Sequence, residues 1–221
     1  MKIKIPTKES KYKLVDAKSS FTAYIYPINN EQEVSPILKK TVKNNKKAAH
    51  IPYAYHITKY ENNRKKIYEK YSDDGEPTKT AGYPILRLLQ NKKITNVLIV
   101  VVRIFGGIKL GMAGLMKAFK TSADMALENN KIIEKELCEE FVIKTNLQEY
   151  NKIEIILKKY KIGFQHSFDS DAVRITAFIP IEHKELKENI VTLLKEDKSN
   201  SRTKRDVFCR SILVNMTYSP T

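Results

Sequence analysis

Residues 94–103 read ITNVLIVVVR, an almost unbroken run of Val, Ile and Leu. A run of this kind suits a β-strand buried on both faces. A loop follows it and then a helix over about Leu115–Asn129; a helix over Ala81–Gln90 precedes it, with Pro84 tolerated in the first turn. Further upstream, Ala49–Ile57 and Lys66–Tyr71 are rich in β-branched and aromatic residues and form a strand pair across the polar stretch YENNRKK. A helix running to about Asn45 starts after Asn29 or Asn30, or at Pro36 with Ser35 as its cap. Lys13–Asp16 and Phe21–Tyr26 are expected as strands, the second alternating Phe21, Ala23 and Ile25 with Thr22, Tyr24 and Tyr26.

Downstream of the central strand a second pattern begins. It reads as strand (Glu139–Thr145), helix (Leu147–Tyr160), two strands (Ile162–Phe168 and Ala172–Ile179), helix (Glu182–Leu194) and strand (Asp206–Val214). The polar stretch Glu196–Arg205 is expected as a loop. A βαββαβ order is that of a ferredoxin-like domain. The fold class is therefore α+β in two domains, residues 1–135 and 136–221, with the boundary near Lys131–Leu137.

Composition narrows the function classes. The 221 residues are 42% hydrophobic and 29% charged, which fits neither a disordered chain nor a membrane-embedded one. No apolar run approaches the ~18 residues that span a bilayer, and the basic N-terminus lacks the apolar core of a secretion signal. Cys138 and Cys209 stand alone, with no CxxC or Cys/His cluster, so neither a disulfide scaffold nor a structural zinc is expected. The protein is expected to be soluble and cytoplasmic.

The net charge is +15, and it is unevenly placed. Residues 1–136 hold 26 basic and 13 acidic side chains, and residues 137–221 hold 14 and 12. Lysine, with 33 residues, far outnumbers arginine, with 7, and an AT-rich coding bias accounts for part of that excess. Lys39, Lys40, Lys43, Lys46 and Lys47 fall close together; they either track a phosphate backbone or form a solvated helix face.

Six of the seven glycines lie between residues 75 and 114. Gly106, Gly107, Gly111 and Gly114 punctuate Arg103-Ile-Phe-Gly-Gly-Ile-Lys-Leu-Gly-Met-Ala-Gly-Leu, which runs from the central strand into a helix. Such a connection can aim N–H groups at an anion, with Arg103 and Lys109 adding charge, or it can serve only tight turns and close packing. It matches neither the P-loop nor GxGxxG. The second block is Ser72-Asp73-Asp74-Gly75-Glu76-Pro77, followed by Thr78 and Thr80. Its three carboxylates could hold a hard cation or supply a general base; equally, the block could be a turn whose acids complement the next helix. His50 and Tyr53 could line the same cleft, and no HExxH or GxSxG marks a zinc or serine hydrolase.

Read together, YSDDGEPTKTAGYPIL at 71–86 and VVVRIFGGIKLGMAGLMKAF at 100–119 resemble the two signature blocks of the YigZ/IMPACT family. Lys18-Ser19-Ser20-Phe21 and the Ala49-His50…Tyr53-Ala54-Tyr55 strand are weaker matches. The chain departs from the family pattern at Thr78-Lys79, at Ala113, at His56 and at Pro52, which stands in place of a cysteine. The resemblance implies an N-terminal domain similar to domain 2 of ribosomal protein S-five and a C-terminal domain similar to domain V of elongation factor G. It also implies a role in regulating translation, since eukaryotic members bind a ribosome-associated partner. The first functional expectation is thus a protein that binds RNA, the ribosome or a translation-associated protein. The second is an enzyme or binder for a phosphorylated small molecule, and the third a protein–protein adaptor. The candidate binding residues are Ser72, Asp73, Asp74, Glu76, Thr80, Arg103, Gly106, Gly107, Lys109, Gly111, Gly114, His50 and Tyr53; no cofactor or metal is expected, and no membrane partner.

Overall fold

The computed structural model describes residues 2–61, 64–169, 172–182 and 207–215. The chain is a mixed α/β protein with two sheets and four helices among those residues. It divides into two compact units, Ile3–Glu134 and a second that holds the described residues from Lys135 onward.

The first unit is built on a five-stranded sheet in the order β2-β3-β6-β4-β5. Its strands are β2 (Ser10–Asp16), β3 (Ser19–Pro27), β4 (Tyr53–Glu61), β5 (Arg64–Ser72) and β6 (Val97–Ile104), and every neighbouring pair is antiparallel. The apolar run at 97–102 occupies the centre, as its composition requires. Val97, Ile99 and Val101 face α2 (Gly82–Lys92) and α3 (Gly111–Glu128), and pack there with Phe21, Ile85, Leu89 and Phe119. Leu98, Val100 and Val102 face α1 (Val34–Asn44) across Tyr55 and Ile57. Helices on both faces, rather than parallel pairing, make this strand continuously hydrophobic.

Local sequence explains most boundaries. Asn29 and Asn30 present their N–H groups to the Glu33 carboxylate, which closes a short 3₁₀ turn, Glu31–Glu33, before α1 begins. Pro36 then falls in the first turn of α1. The strand pair is longer than expected: β4 continues to Glu61 and β5 begins at Arg64, so most of YENNRKK is ladder rather than linker. The main strand of β4 starts at Tyr53, because Pro52 has no N–H for a ladder; His50 makes only an isolated bridge to Arg103.

One element was not expected. β1 (Lys2–Pro6) buries Ile3 and Ile5 between exposed lysines and bridges Lys4 to Ile94, with the Thr95 N–H on the Lys4 carbonyl at 2.9 Å. Just past its end the Thr7 N–H donates to the Lys131 carbonyl at 3.1 Å, immediately before β7 (Ile132–Thr145) begins.

In the second unit, β7 continues into a sheet with β8 (Gly163–Asp169), β9 (Ala172–Pro180) and β10 (Val207–Asn215) in the order β10-β7-β9-β8, all antiparallel. α4 (Leu147–Lys159) is capped by Asn146, whose side chain accepts the Glu149 N–H at 2.9 Å. Phe141, Ile143, Ile153, Leu157, Val173 and Ile175 form the core. β7 begins well before Glu139, where the sequence reading starts it. The helix expected at 182–194 and the loop at 196–205 lie almost wholly outside the described residues. Cys138 is buried, and burial pushes its thiol up to about 11, which suits a packing residue rather than a nucleophile. No helix among the described residues is long and apolar enough to cross a membrane.

Candidate functional site

The acidic block follows β5 and leads into α2. Asp73 sits at the N-terminus of that helix. One carboxylate oxygen accepts the Ala81 and Gly82 N–H groups at 3.1 and 2.8 Å, and the other accepts the Lys79 N–H at 2.8 Å. The N-cap residue of α2 is Ala81, which has no side-chain acceptor, so Asp73 supplies from outside what the cap cannot. Its charge also meets the positive end of the helix dipole. Thr80 is fully buried, with its hydroxyl on the Pro77 carbonyl at 2.6 Å.

Asp74 ties the same loop to the entry of β4. Its carboxylate accepts the Ile51 N–H at 2.7 Å, its own N–H donates to the Ser72 hydroxyl at 3.2 Å, and its carbonyl accepts from His50 Nδ1 at 2.7 Å. Asp74 and Gly75 both have positive φ, +46° and +83°, and the His50 ring lies close over Gly75. An aspartate tolerates that region better than most residues and a glycine tolerates it best.

Glu76 turns inward. Its carboxylate receives Arg103 Nη1 at 2.5 and 2.7 Å, and the two side chains are only 2% and 9% exposed. The guanidinium lies 5.5 Å from the Phe21 and Phe105 ring centres, and the Arg103 backbone bonds Ala49 and His50. The arginine at the end of the central strand therefore joins three segments: the acidic loop, the β4 entry and the start of the glycine-rich loop.

That loop splits into a packed half and an open half. The Gly106 N–H donates to the Ser19 hydroxyl at 3.1 Å, and its α-carbon lies directly on the Lys18–Ser19 backbone. Gly107 and Gly111 have φ of +92° and +68° with nothing against them, and Lys109 is exposed between them. α3 starts at Gly111, earlier than Leu115, with no side-chain cap at Leu110, and Gly114 packs on Leu110 within its first turn. Phe105 and Ile108 remain about half exposed on this loop, and Met112 follows them on the helix.

The candidates found in the sequence thus separate into two sets. His50, Ser72, Asp73, Asp74, Glu76, Thr80 and Arg103 come together as a hydrogen-bonded brace in which each carboxylate is already engaged. Gly107, Lys109 and Gly111 form an exposed rim, with Gly106 and Gly114 packed beneath it. Tyr53 contributes its backbone to the brace, its carbonyl lying against Gly82, whereas its ring packs on the opposite face with α1. Among the described residues no group of three or more His, Cys, Asp or Glu is placed to hold a metal ion. Ser19 is the participant that residue-by-residue reading passed over; its only signal was the Lys18-Ser19-Ser20-Phe21 match.

The Impact N-terminal domain family matches residues 17–127, a span that contains the brace, the glycine rim and the Ser19 turn. The chain belongs to the IMPACT family. It is similar to the IMPACT family member YvyE of Bacillus subtilis, at 28% identity over 189 residues, 86% of this chain and 85% of that one. It is 37% identical over 103 residues to an IMPACT family member of Haemophilus influenzae, a match spanning 43% of this chain and 48% of the relative. The crystal structure of a hypothetical protein superposes with a TM-score of 0.60 at 21% identity, covering 93% of this chain and 96% of that one, a likeness of fold.

One further histidine on β4 carries a testable consequence. His56 is largely buried beside Glu69, at 3.7 Å, and burial holds its pKa below the usual histidine value although Glu69 opposes the shift. A histidine depressed in the folded state binds its proton more readily when unfolded, so stability falls as pH drops from about 6.5. The urea midpoint should therefore decline between pH 7.5 and 5.5, and the decline should be shallower in His56→Gln. Equal slopes in the two proteins would rule this out.

Proposed function

We propose that this IMPACT family member is a cytoplasmic regulator of translation that associates with the ribosome or its RNA through the basic first unit. The observation that carries the reading is the coincidence of family membership with the charge asymmetry: +13 over residues 1–136 against +2 over residues 137–221. Lys39, Lys40, Lys43, Lys46 and Lys47 are all exposed, on α1 and just beyond it, and Lys109 is exposed on the glycine rim. Clustered lysines displace counterions from phosphates, the sequence-independent part of nucleic-acid binding.

The antiparallel order β2-β3-β6-β4-β5, with α1 joining two strands that flank β6, supports an S-five domain-2-like first domain. The order β10-β7-β9-β8 with α4 after β7 supports a ferredoxin-like second domain over residues 136–221. In this reading the acidic block works as a scaffold that holds the β4 entry, the end of β6 and the glycine rim in register. The rim and the α1 lysines form the surface.

The test is sedimentation of the tagged protein with ribosomes from its own host at low and high salt. Association should weaken steeply with salt, and a Lys46→Glu/Lys47→Glu/Lys109→Glu variant should lower the logarithmic salt slope by about one per lysine removed. Absence of co-sedimentation, or binding that ignores both salt and the three lysines, would overturn the proposal.

A further inference from the structure

A groove of about 640 Å³ lies between α1 and the β4–β5 edge of the first unit, on the face of the sheet away from the acidic block. Its wall on the helix side is the stripe Val34, Leu38 and Val42, one residue per turn, and the Tyr53 ring forms part of its floor. Val42 is 55% exposed, an unusual state for a valine in the wall of a concavity.

The charge around this apolar lining is one-sided. Lys39 and Lys43 stand one turn apart on α1, and Lys70 faces them from β5. Glu31 is the acidic residue of the lining, and its carboxylate is engaged by the Tyr55 hydroxyl. An occupant must therefore present apolar groups to the helix stripe and negative charge to both rims.

We infer that this groove docks an acidic amphipathic peptide segment of a partner protein, with apolar side chains along Val34–Leu38–Val42 and Tyr53 and carboxylates on Lys39, Lys43 and Lys70. The apolar character of the lining decides between a peptide and a nucleic-acid strand. Nucleic-acid surfaces are more polar and basic and hold bases by stacking on aromatic rings, whereas helix-in-groove recognition uses an aliphatic trough with charges at its edges, and the helix wall here is aliphatic. A tyrosine at the base is also common at the energetic centre of protein interfaces. The inference goes beyond the ribosome-binding reading; the two share Lys39 and Lys43, but that reading is tested at Lys46, Lys47 and Lys109, which lie outside the groove lining, so either can fail alone.

The experiment is selection of a random peptide library, of about twelve residues or three helical turns, on the full chain, with Val42→Glu as the counter-selection target. Selected peptides should carry apolar residues at helical spacing flanked by Asp and Glu. Their affinity by fluorescence anisotropy should fall about tenfold on Val42→Glu, and measurably on Lys39→Glu/Lys70→Glu. Val42 is exposed, so these variants should keep the wild-type melting temperature. Failure to enrich any sequence, enrichment of basic peptides, or affinity indifferent to Val42→Glu would each overturn the inference. So would a uridine-rich RNA oligonucleotide whose binding is the one abolished by Val42→Glu, since the groove would then hold nucleic acid.

Discussion

Arg103→Met should lower the unfolding free energy by about 3–5 kcal/mol, because it strands the Glu76 carboxylate with no counter-charge at a buried site. Glu76 is 2% exposed by side chain, and its ion pair with Arg103 runs through two short contacts. The loss should extend beyond charge, since the guanidinium also packs against Phe21 and Phe105. The companion Arg103→Met/Glu76→Leu should recover much of the lost stability, because two apolar groups need no partner. Urea denaturation of these two variants and of Glu76→Leu alone completes a double-mutant cycle with the wild type. Additive losses would mean that the two residues do not depend on each other, and the brace would lose its central tie.

Gly106→Ala should be comparably severe, and the reason is steric. A methyl group at Gly106 would overlap the Lys18 carbonyl and the Ser19 nitrogen, which are backbone atoms that cannot rotate aside. Restoring contact distances requires the β2–β3 turn to move away from the end of β6, at a cost of about 3 kcal/mol and with loss of the Gly106–Ser19 hydrogen bond. Gly82→Ala should behave alike, since its methyl would meet the Ser72 and Tyr53 carbonyls. Gly107→Ala supplies the contrast. Nothing lies near that position, so only its φ of +92° opposes the substitution, at about 1 kcal/mol. Thermal melts that rank Gly107→Ala as the most damaging of the three would contradict this division of the loop into packed and open halves.

How much of this was legible in the sequence depended on whether the signal was local. The central strand β6 was readable because both of its faces are buried, which leaves no polar position to break the run. β1 was not, because two isoleucines between lysines are too short a pattern to stand out from a basic N-terminus. The first half of β7 was hidden by its charged residues, Glu134, Lys135 and Glu136, on a strand expected to be apolar. α3 begins four residues earlier than its composition suggests, since Gly111 and Gly114 weaken a helical reading although Gly111 only opens the helix.

The same distinction holds for the site. Unusual residues such as the clustered glycines and the paired aspartates could be singled out one at a time. Their partners could not, since Glu76 meets Arg103 across 27 residues and Gly106 meets Ser19 across 87. The groove beside α1 needed the packing of a helix on a sheet before Val42 and Lys70 could share one concavity. Charge and composition alone leave open whether the lysines at 39–47 track a phosphate backbone or form a solvated helix face.

The central claim is that the acidic block is internal structure, with its carboxylates committed to N–H groups and a guanidinium. The measurement that tests it most directly is the urea unfolding free energy of Asp73→Ala, taken with and without millimolar Mg²⁺. Three N–H groups lose their acceptor, so the variant should be less stable by about 2–3 kcal/mol, and Mg²⁺ should leave the wild type unchanged. An Asp73→Ala protein as stable as wild type, or a wild type markedly stabilised by Mg²⁺ only while Asp73 is present, would show a carboxylate free to hold a ligand and contradict the account.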